Sequence, residues 1–233
     1  MWAVVTGATK GIGLAIAEKL AAEGVNLIVC ARNLSDLERM KTSFKETYQH
    51  TALVTVKADL SRREDITNFA KIVLETCDSP DYLINNAGIY VGGSLADEPD
   101  ENLPFMIETN LYSAYYLTKA LLTPMKAYKK GHIINMCSIA SKIAYPNGGS
   151  YSISKFALLG FSKVLREELK NDGIKVTAVM PGATWSDSWK GATLPHDRIM
   201  EAKDIADSVW NILNLGPSCV VEEIILRPQL GDL

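Results

Sequence analysis

Short apolar runs alternate with helix-length amphipathic stretches along the whole of this 233-residue chain. Strand-like runs fall at Trp2–Thr6, Asn26–Cys30, Ala52–Lys57, Tyr82–Ile84, His132–Met136, Lys175–Val179 and Glu223–Leu226. Helix-like patterns lie between them at Gly11–Glu23, Ser35–Tyr48, Arg62–Thr76, Leu103–Tyr128, Tyr151–Asn171 and Ala202–Leu215. Several of the strand-like runs are apolar almost without a break, as in strands covered on both faces. Repeated strand–helix units close into a parallel sheet through right-handed crossovers, with helices on both sides. The expected fold is therefore α/β: a doubly wound parallel sheet of about seven strands in one domain spanning 1–233. Ligands of such sheets bind beyond the carboxyl ends of the strands, where strand order reverses. The long irregular stretch from Pro181 to Met200 is a candidate lid.

Composition narrows the function classes. Hydrophobic residues make up 47% and charged residues 22%, an ordinary globular balance. A net charge of −3 gives no reason to expect nucleic acid or an anionic membrane as partner. Cys30, Cys77, Cys137 and Cys219 lack CxxC spacing and are expected to be buried, reduced thiols. His50, His132 and His196 are scattered, so no metal site is expected. The strand-like start leaves no room for a signal peptide, and no apolar run is long enough to span a bilayer, so the expected location is the cytoplasm. No G-x-S-x-G elbow supports a serine hydrolase.

Chemistry concentrates at the loops that follow the strands. Thr6-Gly-Ala-Thr-Lys-Gly-Ile-Gly13 links the first strand to the first helix. Gly7 permits a tight turn, Gly11 clears room for a pyrophosphate, and Gly13 lets helix and strand pack closely, with the helix N–H groups facing the anion. Between Asn147 and Asp172 the pattern is helical, with Gly148-Gly149-Ser150 as its start. On that helix Tyr151 and Lys155 stand at i and i+4 and share a face. A lysine cation beside a phenol favours the phenolate, which suits a proton donor at a carbonyl oxygen. Ser138 follows the fifth strand and can donate a hydrogen bond to such an oxygen. Asn110 lies mid-helix among apolar neighbours, where an amide is an indifferent helix former.

Taken together, Thr6–Gly13, Asn85-Asn-Ala-Gly88, Asn110, Ser138, Tyr151-x-x-x-Lys155 and Pro181-Gly182 resemble the short-chain dehydrogenases/reductases in order and spacing, over nearly the full length. The resemblance implies a Rossmann fold, a nicotinamide cofactor and a homodimer or homotetramer. It implies Tyr151 as proton donor, Ser138 as holder of the substrate oxygen and Lys155 as partner of both Tyr151 and the nicotinamide ribose. In the family, an asparagine at the place of Asn110 holds a water that reaches the lysine. Cofactor contacts implied by position are Gly7, Thr9, Lys10, Gly11, Ile12 and Gly13 in the first turn, then Ala31 and Arg32 after the second strand. Asp59 and Leu60 follow the third strand, with Asp59 either meeting the adenine amino group or capping the next helix. Asn86, Ala87 and Gly88 would line the ribose and nicotinamide side. Tyr151, Lys155, Pro181, Gly182, Thr184 and Ser186 complete the set, with the backbone after Gly182 meeting the nicotinamide carboxamide. Many relatives carry Thr in place of Ser186 and Val or Ile in place of Thr184, so this chain departs from the pattern there.

No acidic residue stands at the end of the second strand, where NAD would want one for its ribose hydroxyls. Ala31 and Arg32 occupy that end, and Lys10 adds a second cation, so NADP(H) is the expected cofactor. Trp185 and Trp189 serve equally well as substrate walls or as cover for the sheet. The short segment before the last helix suggests an open or small pocket. The expected function is reduction of a carbonyl, or oxidation of an alcohol, on a small molecule. Two other readings stay open: an NADP-binding regulator without turnover, and a nucleotide-sugar epimerase or dehydratase, for which this chain has too few residues after the sixth strand.

Overall fold

The computed structural model describes residues 1–186, 189 and 191–233. Seven parallel strands form one sheet in the order β3-β2-β1-β4-β5-β6-β7. They are β1 (Trp2–Thr6), β2 (Asn26–Ala31), β3 (Leu53–Lys57), β4 (Tyr82–Asn85), β5 (Gly131–Met136), β6 (Ile174–Pro181) and β7 (Glu223–Leu226). Strand order reverses between β1 and β4, whose registered pairs run from Ala3↔Tyr82 to Val5↔Ile84. The helices are α1 (Gly11–Ala22), α2 (Leu34–Thr47), α3 (Arg63–Thr76), α4 (Asn102–Ile107), α5 (Ser113–Tyr128), α6 (Gly149–Leu169) and α7 (Ala202–Leu213).

Alternation along the strands sends side chains to two cores. Ala3 and Val5 of β1 join Leu27, Val29, Ile16, Leu20, Leu37, Phe44 and Val209 on the side of α1, α2 and α7. Val4 joins Ile28, Leu83, Phe69, Val73, Leu117, Leu121 and Leu165 on the side of α3, α5 and α6. Both faces being covered explains the near-continuous apolar strands. The sheet centre also holds a polar chain. Asn85 Nδ2 donates to Thr118 Oγ1 (3.0 Å) and Asn135 Oδ1 (2.8 Å), and Asn135 Nδ2 donates to Ser162 Oγ (2.9 Å). These bonds tie β4 and β5 to α5 and α6 beneath the site.

Two expectations need correction. The pattern at Leu103–Tyr128 is not one helix: α4 and α5 are separated by a wide π-type turn at Glu108–Tyr112. That turn places Asn110 where its amide bonds outside the helix, which explains a poor helix former at this position. Nor are all cysteines buried. Cys30 and Cys137 are, Cys77 is half-buried, and Cys219 is exposed because it sits in the turn from Gly216 that links α7 to β7. Burial pushes the Cys30 thiol up to about 12 and Cys77 up to about 11, so neither is a thiolate at neutral pH. Among the described residues no helix is long and apolar enough to cross a membrane, and no His, Cys, Asp and Glu cluster could hold a metal ion.

Candidate active site

The carboxyl ends of β1, β4, β5 and β6 carry the predicted loops to one edge of the sheet. The glycine turn is stitched to the end of β4. Asn86 Nδ2 donates to the carbonyls of Thr6 (2.9 Å) and Gly7 (3.1 Å), while Thr6 Oγ1 accepts from the N–H groups of Asn86 and Ala87 (both 2.9 Å). Asn86 thus spends its amide protons on the turn, and its contribution to a ligand is made through that scaffold. Gly7 and Gly11 hold φ of +64° and +52°, the left-handed region that favours glycine. At Gly13 the constraint is close approach, since a Cβ would lie 2.3 Å from Gly7 O. The helix then opens after Lys10 with no side-chain cap and no acidic residue in its first turn. A Cβ on Gly11 would lie 3.5 Å from Ser186 Cβ, so the β6 loop arches over the same turn. A cradle lined by glycine, with helix-start N–H groups uncapped by side chains, fits a pyrophosphate.

At the far end, Arg32 is exposed beyond β2. Lys10 Nζ lies 3.5 Å from Asp36 Oδ2, and Arg39 bonds Asp36 from the other side. Arg39, then Lys10, hold the buried Asp36 carboxyl below the usual carboxylate range. An acid is therefore present near this end after all. The sequence hides it because Asp36 comes from the first turn of α2, capped by Asn33, rather than from the strand end. Asp59 Oδ1 accepts from Ser61 N (3.1 Å) and Oγ (2.8 Å), closing a turn ahead of α3. Leu60 is buried, so any ligand contact there is through backbone.

Tyr151 and Lys155 leave the first turns of α6. The start of this helix is held by Glu98 Oε1, which accepts from Ser150 N (3.0 Å) and Oγ (2.6 Å). Lys155 is 5% exposed, its Nζ donates to Met136 O at 2.8 Å, and the same Nζ lies 5.8 Å from the Tyr151 ring centre. No carboxylate among the described residues forms an ion pair with it. Ser138 comes two residues after Met136, and its Oγ accepts from Ala140 N (3.1 Å), leaving the hydroxyl proton to donate elsewhere. Asn110 is 1% exposed; its Oδ1 accepts from Ile89 N (2.8 Å), and its Nδ2 donates to Ile89 O (3.0 Å) and Ser154 Oγ (2.9 Å). Ser154 in turn donates to Tyr151 O (2.7 Å). The bare face of Gly88 lies between Asn110 Oδ1 and Lys155 Nζ, 3.3 and 3.5 Å from where a Cβ would stand. Asn110, Gly88, Tyr151, Lys155 and the Ser138 turn thus share one edge.

Several residues here carry no sequence signal. Tyr90 meets the Tyr151 ring edge-on at 4.9 Å. Burial first, then the Tyr90 and Tyr151 hydroxyls, push the Tyr145 phenol above its ordinary value, which places three tyrosines together. Beyond β6, Met200 bonds the strip on both sides of Thr184, with Met200 N donating to Ala183 O (3.1 Å) and Trp185 N donating to Met200 O (2.9 Å). Strand geometry then turns the N–H and C=O of Thr184 the other way, where no described residue bonds them. A donor and an acceptor side by side match a carboxamide. The Thr184 hydroxyl itself donates to Gly182 O (3.0 Å). Trp185 stacks on His196 and donates to His196 O (2.8 Å), so it closes the loop on itself. Within the candidate lid, 187, 188 and 190 lie outside the described residues.

A family model described as short chain dehydrogenase matches residues 1–195. A protein named sepiapterin reductase in Chlorobaculum tepidum is 32% identical over 238 residues, spanning 99% of this chain and 97% of that protein. Among solved structures, an alcohol dehydrogenase from the archaeon Thermococcus sibiricus, complexed with 5-hydroxy-NADP, superposes with a TM-score of 0.89 at 30% identity, covering 98% of this chain and 96% of that one. A metagenomic short-chain oxidoreductase in complex with NADP gives a TM-score of 0.86 at 32% identity, covering 98% and 97%. The chain belongs to the short-chain dehydrogenase family and is an oxidoreductase of that family.

Proposed function

We propose that residues 1–233 act as one cofactor-binding and catalytic unit, an NADP(H)-dependent enzyme interconverting a carbonyl with a primary or secondary alcohol. The observation that carries this reading is the buried Lys155 ammonium, held on Met136 O beside the Tyr151 ring. A buried cation without an acidic partner is costly unless a partner of developing negative charge uses it. The glycine turn would hold the pyrophosphate, Arg32 and Lys10 the 2′-phosphate, and the Thr184 peptide groups the carboxamide. Bound there, NADP(H) would supply or accept the hydride. The chain's own residues manage the proton and the charge. In the reductive direction Tyr151 Oη gives a proton to the substrate oxygen, and Ser138 Oγ donates a hydrogen bond to that same oxygen. Lys155 stabilises the phenolate that remains. Asn110 supports Lys155 by fixing Gly88–Ile89 against α6 through its bonds to Ile89 N, Ile89 O and Ser154 Oγ.

A regulator that binds NADP(H) without turnover would not need the Tyr151, Lys155 and Ser138 set. The reading also places the protein in the cytoplasm as a homodimer or homotetramer. It is tested by following NADPH absorbance with a panel of ketones, aldehydes, 3-oxoacyl thioesters, pterin-like carbonyls and sugars. For the best substrate, Tyr151→Phe should keep NADPH binding and lose at least about a hundredfold in turnover. Turnover near wild type would remove Tyr151 from its role.

A further inference from the structure

The segment after β7 returns to the site. Asp232 Oδ1 accepts from Ala183 N at 2.9 Å, and Arg227 Nε donates to Asp232 Oδ2 at 2.7 Å. Arg198 donates to the backbone carbonyls of Gly231 (2.8 Å) and Asp232 (3.4 Å). Gly182 makes room for this carboxylate: a Cβ there would lie 2.0 Å from Asp232 Oδ1. The strip from Gly182 to Thr184 is thus held from several directions. Gly182 N donates to Leu226 O (2.7 Å), Ala183 N to Asp232, and Ala183 O accepts from Met200. Among the described residues, the Thr184 N–H and C=O stay without a backbone partner, facing away from Met200.

We propose that Asp232 is a positioning residue for the nicotinamide end of the cofactor site, acting by fixing the Ala183 peptide so that Thr184 presents its donor and acceptor together. This rests on the reading that Thr184 meets the carboxamide. A charged acceptor on a backbone N–H makes a stronger bond than a neutral one. Arg227 holds that carboxylate in place, so its orientation is set before any ligand arrives. Nothing in the Asp232 contacts involves the glycine turn or the Arg32 end. The effect is therefore confined to one half of the dinucleotide.

That confinement gives the test. Asp232→Ala should weaken NADPH binding about tenfold or more while leaving 2′,5′-ADP, which lacks the nicotinamide half, within about twofold of wild type. Asp232→Asn keeps an acceptor for Ala183 N but turns an amide donor towards Arg227 Nε, so its NADPH affinity should fall between those of wild type and Asp232→Ala. Removing residues 231–233 should repeat the Ala result. A readout without cofactor accompanies these. Amide hydrogen exchange across 182–186 should speed up in Asp232→Ala and by less in Asp232→Asn. Equal loss of NADPH and 2′,5′-ADP affinity, or no change in exchange, would overturn the proposal. If the wild type binds no NADPH while the exchange difference appears, the cofactor reading fails and the Asp232 contact stands as structural alone.

Discussion

At the scale of single residues, the sharpest expectation concerns Arg32. Its guanidinium is exposed beyond β2, where it can bond a 2′-phosphate. Arg32→Ala should lower kcat/KM with NADPH by roughly tenfold or more, and leave the value with NADH almost unchanged, because NADH has no phosphate to lose. Adding Ala31→Asp should turn the preference towards NADH. Both values should be measured at fixed ionic strength, since these charges are screened. An equal fall in both would assign Arg32 to the adenine or to the fold. Lys10 is a weaker determinant than its position in the turn suggests, because Asp36 shares its charge. Tyr151 and Lys155 were legible because helical periodicity puts i and i+4 on one face and the motifs around them carry the family resemblance that names their roles. Asp36, Tyr90, Tyr145, Glu98 and Asp232 were not. Each reaches the site from a loop or helix start, and no local period encodes contacts across such sequence distances.

Elements were legible wherever burial imposes a period. The seven strand-like runs all became strands, because a sheet covered on both faces demands continuous apolar residues. The π-type turn at Asn110 was not, since one extra residue in a helix leaves the apolar pattern on either side nearly intact. One strand pair makes a thermodynamic prediction. His132 of β5 is buried, bonds Thr177 Oγ1 of β6 at 2.8 Å, and faces Lys175 in register. Burial first, then the Lys175 charge, hold His132 down at about 3. In the unfolded chain an imidazole takes up its proton near pH ~6.5. Between those values the unfolded state binds more protons, so stability is full above pH ~6.5 and falls as pH falls, by up to ~1.4 kcal/mol per unit. Thermal unfolding from pH ~6.5 to ~4.5 should therefore be steeper in pH for wild type than for His132→Gln. Parallel curves would show that His132 is not the group responsible.

At the scale of the whole molecule, α5 and α6 carry more apolar surface than the sheet uses. Phe156 is 44% exposed and Val164 54%, and Tyr115 and Ile153 are exposed as well. Such a face suits a second copy related by a twofold axis. Light scattering at micromolar concentration should report a mass of at least twice the 25.5 kDa of one chain. A monomer mass alone would leave these side chains to another explanation.

The strand order also bears on how the chain is made. β2 and then β3 add to one side of β1, and β4, β5, β6 and β7 add in turn to the other. No strand must be inserted between two that are already paired. A nascent chain leaving the ribosome can therefore dock each strand on an edge that is already open, β4 on the free side of β1 and every other strand on its predecessor. The exposed edge moves outward with synthesis and is apolar at β6, where Ala178, Val179, Met180 and Pro181 await their β7 partners. A product arrested at that stage presents an unpaired strand, the form most prone to aggregate. The glycine turn is made first and the Asp232 clasp last, so the phosphate cradle is in place before the nicotinamide end is fixed.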